Sequence, residues 1–153
     1  MARTSLLIAL LLMMGLSANA MIRTLPFPEL VKKAEVIVIV QVVDQKITEE
    51  AGVTNPKVHT EVEVERVLKG AVKAKDRLAF DTQGTVKKAR EDSPIFPEKG
   101  RKAVLFLVKG DGGQWRLLNG IQGLWPLHAE TGKTLGMGFR YSVEQVEAEI
   151  KKN

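Results

Sequence analysis

AEVIVIVQVV, residues 34–43, decides the fold of this chain. Seven of its ten residues are valine or isoleucine, and only Glu35 and Gln41 are polar. β-Branched side chains favour extended backbone, and an almost unbroken apolar run is typical of a strand that is covered on both faces. The stretch therefore predicts a central, buried strand and a mainly β domain around it.

The next strongly patterned stretch, residues 58–67, predicts a strand with one exposed face. Apolar side chains and a threonine alternate there with a histidine and three glutamates. A period of two places alternate residues on opposite faces of a strand. The apolar face carries Val58, Thr60, Val62 and Val64, and the polar face carries His59, Glu61, Glu63 and Glu65.

The remainder of the chain predicts further short strands and a terminal helix. Ser142 followed by Gln145 has the spacing of a capping box and predicts a helix that begins beside Ser142. Glycines in residues 110–113 predict a hairpin turn. The strands are predicted at residues 77–82, 102–108, 115–118 and 124–128.

These elements predict a mainly β fold, a small five-stranded OB-like antiparallel barrel with a C-terminal helix. The alternative is a β-sandwich, which the same strands form if the first one does not bend across both sheets. Strand alternation is compatible with both architectures.

Residues 1–20 have the pattern of a secretory signal peptide. Arg3 precedes an apolar run over residues 6–16, and Ala18 and Ala20 match an A-x-A cleavage site. The apolar run is shorter than the roughly 20 residues that a membrane-spanning helix needs. We therefore predict a secreted or periplasmic protein in which residues 21–153 form a single β-barrel domain.

The chain contains no cysteine. This excludes disulfide bonds, thiol nucleophiles and lipid attachment to a cysteine, so no membrane anchor is expected after cleavage. Lysine and arginine number 23 against 18 acidic residues, and loss of Arg3 with the leader leaves 22 against 18. The excess is dispersed along the chain, and export makes nucleic acid an unexpected partner.

Four segments carry a resemblance to known proteins through their pattern of strands and turns: residues 33–38, 62–70, 99–107 and 120–123. In these segments the chain resembles small exported bacterial proteins of unassigned function. The layout also resembles the OB-type domain of netrin modules and tissue metalloprotease inhibitors. In those inhibitors a disulfide-linked amino-terminal cysteine binds the protease zinc, and this chain lacks that cysteine. The resemblance thus implies a fold and not the inhibitory mechanism.

The polar face of residues 58–67 contains residue types that bind divalent metals. Same-face neighbours on a strand lie about 6.6 Å apart, too far for the whole row to share one ion. We therefore expect the glutamates to face water or to pair with lysines across the sheet. No metal site and no cofactor is predicted.

No catalytic residue is predicted. The chain has two histidines, His59 and His128, and Ser93 lacks the G-x-S-x-G turn that exposes a serine nucleophile. Ser142 is better explained as a helix cap. The enzymatic alternative is a secreted hydrolase that uses acidic residues and one of the histidines.

The prediction is accordingly a non-catalytic extracytoplasmic binding module for a protein or a glycan. Its contact surface is expected at residues 83–100, a long irregular segment, together with residues 120–125. The tryptophans Trp115 and Trp125 allow two interpretations. In one they form a stacking surface for sugars or bases together with Phe96, Phe139 and Tyr141. In the other, which we favour, both tryptophans plug the barrel ends. A protease-regulating envelope protein is a third possibility, based on the resemblance. The candidate ligand-binding residues are Phe96, Trp115, Gln122 and Trp125.

Overall fold

The computed structural model describes residues 23–153. The predicted leader, residues 1–20, lies outside the described residues and stays a prediction. Two short 3₁₀ turns lie at Gly120–Gly123 and Gly136–Gly138. The other elements are helix α1 (Phe27–Lys33), strands β1 (Val36–Thr48), β2 (Lys57–Lys69), β3 (Arg77–Gln83), β4 (Lys102–Lys109), β5 (Trp115–Leu117) and β6 (Leu124–Pro126), and helix α2 (Val143–Ile150).

The six strands form one antiparallel sheet in the order β3-β2-β1-β4-β5, and β6 pairs with β4 beside β5. The sequence prediction of a central buried strand is confirmed, since β1 pairs with β2 on one side and β4 on the other. β1 continues to Thr48, five residues beyond the predicted run.

The sheet is not closed. β3 and β5 are the two ends of the strand order, and within residues 23–153 no ladder joins them. The mainly β character, the antiparallel pairing and the C-terminal helix are as predicted, but six strands are present and closure into a barrel is not seen. Two short strands share the edge of β4 because the chain turns at Gly120–Gly123 between β5 and β6.

The alternation of β1 places apolar residues on both faces of the sheet, and each face has its own core. The helix-side core, which α1 and α2 cover, includes Leu30, Val31, Ala34, Ile37, Val104, Phe106, Trp125, Leu127 and Val146. The loop-side core includes Val36, Val38, Val40, Val42, Val62, Val64, Phe80, Phe96, Ala103, Leu105, Leu107 and Leu124.

The predicted capping box at the start of α2 is confirmed. The Ser142 hydroxyl accepts a hydrogen bond from the Gln145 backbone N–H at 3.2 Å, and the Gln145 side chain accepts one from the Ser142 N–H at 2.8 Å. Hydrogen bonds at this helix start lower the pKa of Glu144. Arg66 of β2 pairs with Glu147 of α2 and ties the helix to the sheet.

Among the residues that the structure describes, no helix has both the length and the hydropathy needed to cross a membrane.

Candidate functional site at the loop end of the sheet

A large polar groove lies beside the segment that connects β3 to β4. It has a volume of about 880 Å³ and is bordered by the ends of β1, β2 and β3. We call it the polar groove. Its charged and polar lining includes Lys46, Lys57, His59, Asp81, Arg90 and Ser93.

Strand register explains why these side chains meet. Lys46 of β1 is opposite His59 of β2, and His59 is opposite Asp81 of β3, so the three form one row across the sheet. The His59 Nδ1 atom lies 2.7 Å from Asp81 Oδ1. A row of this kind needs three strands with matched alternation, which local sequence does not specify.

The loop that borders the groove, residues 84–101, is anchored near its start and near its end. The backbone N–H of Gln83 donates to the Ser93 hydroxyl at 3.2 Å, and Thr85 and Lys88 close a turn through two backbone hydrogen bonds of 3.1 Å. Phe96 is buried and stacks on Phe80, with ring centroids 5.2 Å apart. These contacts join the loop to the sheet.

A second, apolar cavity lies between this loop and β1. Its volume is about 250 Å³, and its lining includes Ile47, Val86, Ile95 and Phe96. Ile47 is 54% exposed and Val86 is 71% exposed, although both are large apolar residues. We call these two side chains and the adjoining cavity the apolar patch.

Ion pairs join the loop to the connection between β1 and β2. Lys88 lies 2.8 Å from Glu49, and its hydrogen bond and charge lower the pKa of Glu49. Lys57 lies 2.7 Å from Glu50, and this hydrogen bond raises the pKa of Lys57. All four side chains are exposed, so the pairs orient the surface and add little to stability.

The structure separates the four residues predicted to bind a ligand. Phe96 lies in the loop-side core beside the apolar patch, and the half-buried Trp115 packs against that core from β5. The Lys109 ammonium lies over the Trp115 ring, 5.3 Å from its centroid. Gln122 and Trp125 border a different cavity, on the face that the helices cover. The four residues therefore do not form one surface.

Gln122 is occupied by the chain itself. Its side-chain oxygen accepts a hydrogen bond from the Leu25 N–H at 2.9 Å, and its amide nitrogen donates to the Leu25 carbonyl at 2.6 Å. Asn119 also donates to the Arg23 carbonyl at 2.9 Å. The turn at Gly120–Gly123 thus holds the segment that leads into α1.

The glutamates on β2 lie beside basic residues, and pairing with lysines was one of the two alternatives that the sequence predicted for them. Glu63 lies 3.1 Å from Lys75, Glu65 lies 2.7 Å from Lys102, and Glu61 lies 3.9 Å from Arg77. In residues 23–153 no three histidine or acidic side chains are grouped so that they could hold a metal ion.

His59 and Ser93 both line the polar groove, and each makes other contacts within the chain. The His59 Nε2 atom, which would take the serine proton while Nδ1 faces Asp81, lies 4.0 Å from Glu61 Oε1. The Ser93 hydroxyl accepts the Gln83 N–H. Both side chains therefore have structural partners.

Sequence reasoning named the segment at the loop end but missed Ile47, Val86 and the row that includes Lys46. The signal for Val86 was present, since it is the one large apolar residue in the charged stretch 83–93. No sequence pattern indicated that Ile47 is exposed, because an apolar residue near the end of a strand is predicted to be buried unless the position of the strand end is known.

No protein-family model matches this sequence, and no curated protein matches it. The resemblance to exported OB-like proteins stays a prediction. The function is therefore inferred from the two surfaces at the loop end.

Proposed function

We propose that this protein is a non-catalytic extracytoplasmic binding module that binds a partner protein at the loop end of the sheet. The apolar patch carries this proposal. Val86 and Ile47 are 71% and 54% exposed next to a cavity of about 250 Å³. Exposed apolar side chains that border a cavity and are rimmed by polar residues are typical of protein-binding surfaces.

The rim of the patch carries charges of both signs, which indicates the chemistry of the partner. Lys87 and Glu98 line the cavity with Val86, and the neighbouring polar groove is lined by Lys46 and Arg90 as well as by Asp81 and Asp92. The expected partner surface has an apolar side chain that fills the cavity and charged residues of both signs around it. A glycan site would favour an exposed aromatic platform, whereas Phe96, the aromatic residue that lines this cavity, is buried.

The test compares binding by two surface variants. Replacing Ile47 and Val86 together by aspartate is expected to reduce partner capture by the immobilised protein at least tenfold, because two apolar contacts are lost. The control is Phe139→Asp, since Phe139 is 65% exposed and lines a different cavity with Trp125. Captured proteins from an extracytoplasmic fraction are quantified by mass spectrometry. Equal capture by both variants and by the unchanged protein would refute the proposal that the partner binds at the apolar patch.

The extracytoplasmic location is part of the proposal and is supported by residues 1–20, where the apolar run over residues 6–16 is followed by the A-x-A pattern of Ala18 and Ala20. The OB-like relationship is also proposed. It is supported by the strand order β3-β2-β1-β4-β5, in which a ladder between β3 and β5 would complete a five-stranded barrel. A role in regulating proteases rests on that relationship alone.

A secreted hydrolase is the second candidate, and the pair formed by His59 and Asp81 favours it. Their 2.7 Å contact lies in the polar groove, which Ser93 also lines. This candidate predicts pH-dependent turnover of an ester or peptide substrate that is abolished by His59→Ala and kept by His128→Ala. Turnover that both variants retain would exclude His59 as the catalytic base.

A further inference from the structure

β3 has a free edge that faces away from the sheet. The Gly84 N–H donates to the Pro56 carbonyl, and the Val64 N–H donates to the Asp76 carbonyl. The backbone N–H and C=O groups of even-numbered residues along β3 therefore point toward β2. Backbone groups alternate in direction along a strand, and those of Arg77, Ala79 and Asp81 therefore point outward.

The free part of the edge is limited at both ends. At one end the outward N–H of Gln83 donates to the Ser93 hydroxyl, and at the other end Lys75 has a φ of 75° and leaves the extended conformation. Five residues, 77–81, remain in a regular strand between these limits. A short, unpaired edge of this kind can accept one more antiparallel strand.

We propose that the occupant of this edge is β3 of a second copy of the protein, in an antiparallel arrangement centred on Ala79. The two-fold axis then places Ala79 opposite Ala79, and Arg77 of each copy opposite Asp81 of the other. The opposed residues at each of these positions exchange backbone hydrogen bonds. An interface of this form is closed and self-complementary.

Charge complementarity selects this register. Arg77 and Asp81 lie on the same face of β3, and their side chains are 62% and 87% exposed. If the strand pair were centred on Arg77 or on Asp81, two like charges would lie opposite each other. If it were centred on residue 78 or 80, a charged side chain would lie opposite Ala79. Only the register centred on Ala79 places both arginines opposite aspartates. Opposite charges across a strand pair stabilise it, and like charges destabilise it.

The second face of β3 is compatible with the same register. Leu78 of one copy lies opposite Phe80 of the other, and both side chains belong to or pack against the loop-side core. The strand pair alone buries less surface than a standard protein interface. The dimer is therefore expected to be weak and to depend on protein concentration.

Sedimentation equilibrium from about 10 µM to 1 mM tests the proposal, with folding of each variant checked by circular dichroism. We expect reversible dimerisation that Ala79→Pro weakens at least tenfold, because proline removes the central outward N–H. A protein that is monomeric throughout, or a dimer that tolerates Ala79→Pro, would overturn the proposal.

A charge exchange tests the register independently of the proline variant. Arg77→Asp and Asp81→Arg are each expected to weaken dimerisation about threefold to tenfold, and the double exchange is expected to restore it. Arg101→Asp and Asp111→Arg make the same charge changes at exposed positions outside β3 and its neighbouring groove, and they should leave dimerisation unchanged. Failure of the double exchange to restore the dimer would refute this register. Neither result depends on the Ile47 and Val86 variants, so the two proposals are tested separately.

Discussion

Replacing Trp125 by alanine is expected to lower the free energy of unfolding by about 3–5 kcal/mol. Trp125 is 1% exposed and lies in the helix-side core, where its ring centroid is 4.5 Å from that of Phe106 and 5.7 Å from that of Tyr141. Its indole N–H donates to the Gln122 carbonyl at 2.8 Å. The substitution leaves a large cavity and an unpaired buried carbonyl.

The loss of stability should be visible in chemical or thermal unfolding followed by circular dichroism. Trp115→Ala is the matched control, because this tryptophan is half-buried on the short strand β5. It loses a cation–π contact with Lys109 and part of its packing, so we expect a decrease of about 1–2 kcal/mol. Similar decreases for the two variants would contradict the assignment of Trp125 to the core.

The glycine that follows β2 is the second position where a small change should have a large effect. Gly70 has a φ of 100°, and a Cβ atom built there would lie 2.5 Å from the Glu35 carbonyl oxygen and 2.6 Å from Val36 Cγ2. Gly70→Ala is therefore expected to lower the free energy of unfolding by about 2–4 kcal/mol, through backbone strain and displacement of the start of β1. Denaturant titration measures the change.

The variant Gly100→Ala separates the effect of backbone strain from the effect of the steric clash with β1. Gly100 has a φ of 84°, but an added Cβ atom would meet no atom within 4 Å. This variant isolates the strain of the left-handed backbone conformation, for which we expect a decrease of about 1 kcal/mol. If Gly70→Ala were no more destabilising than Gly100→Ala, the close approach of Gly70 to β1 would be disproved.

Features that depend on neighbouring residues could be predicted from the sequence. The β-branched run that became β1 and the alternation of β2 each specify a strand locally, since side-chain direction has a period of two. The contact between Ser142 and Gln145 spans three residues, and both hydrogen bonds of the predicted capping box are present. The position of the glutamates on a half-exposed strand predicted that they face water or pair with lysines across the sheet, and Glu65 does pair with Lys102 of β4.

The candidate site depends on contacts between distant residues, and the sequence predicted it only as a segment. Gln122 was predicted to bind a ligand, but its amide holds Leu25, which is 97 residues away in the chain. His59 and Asp81 meet because β2 and β3 adopt one particular register. A shift of one residue would have moved the whole polar row to the other face.

Local periodicity was therefore sufficient to establish a mainly β domain with a central buried strand and a terminal helix, because strand and helix patterns arise from the geometry of a few residues. Tertiary pairing decided that the sheet stays open, that Trp125 is packed inside and that Val86 is exposed. These outcomes depend on how loops bring distant segments together and on which apolar surfaces become buried against each other. The alternation of side chains along one strand specifies neither.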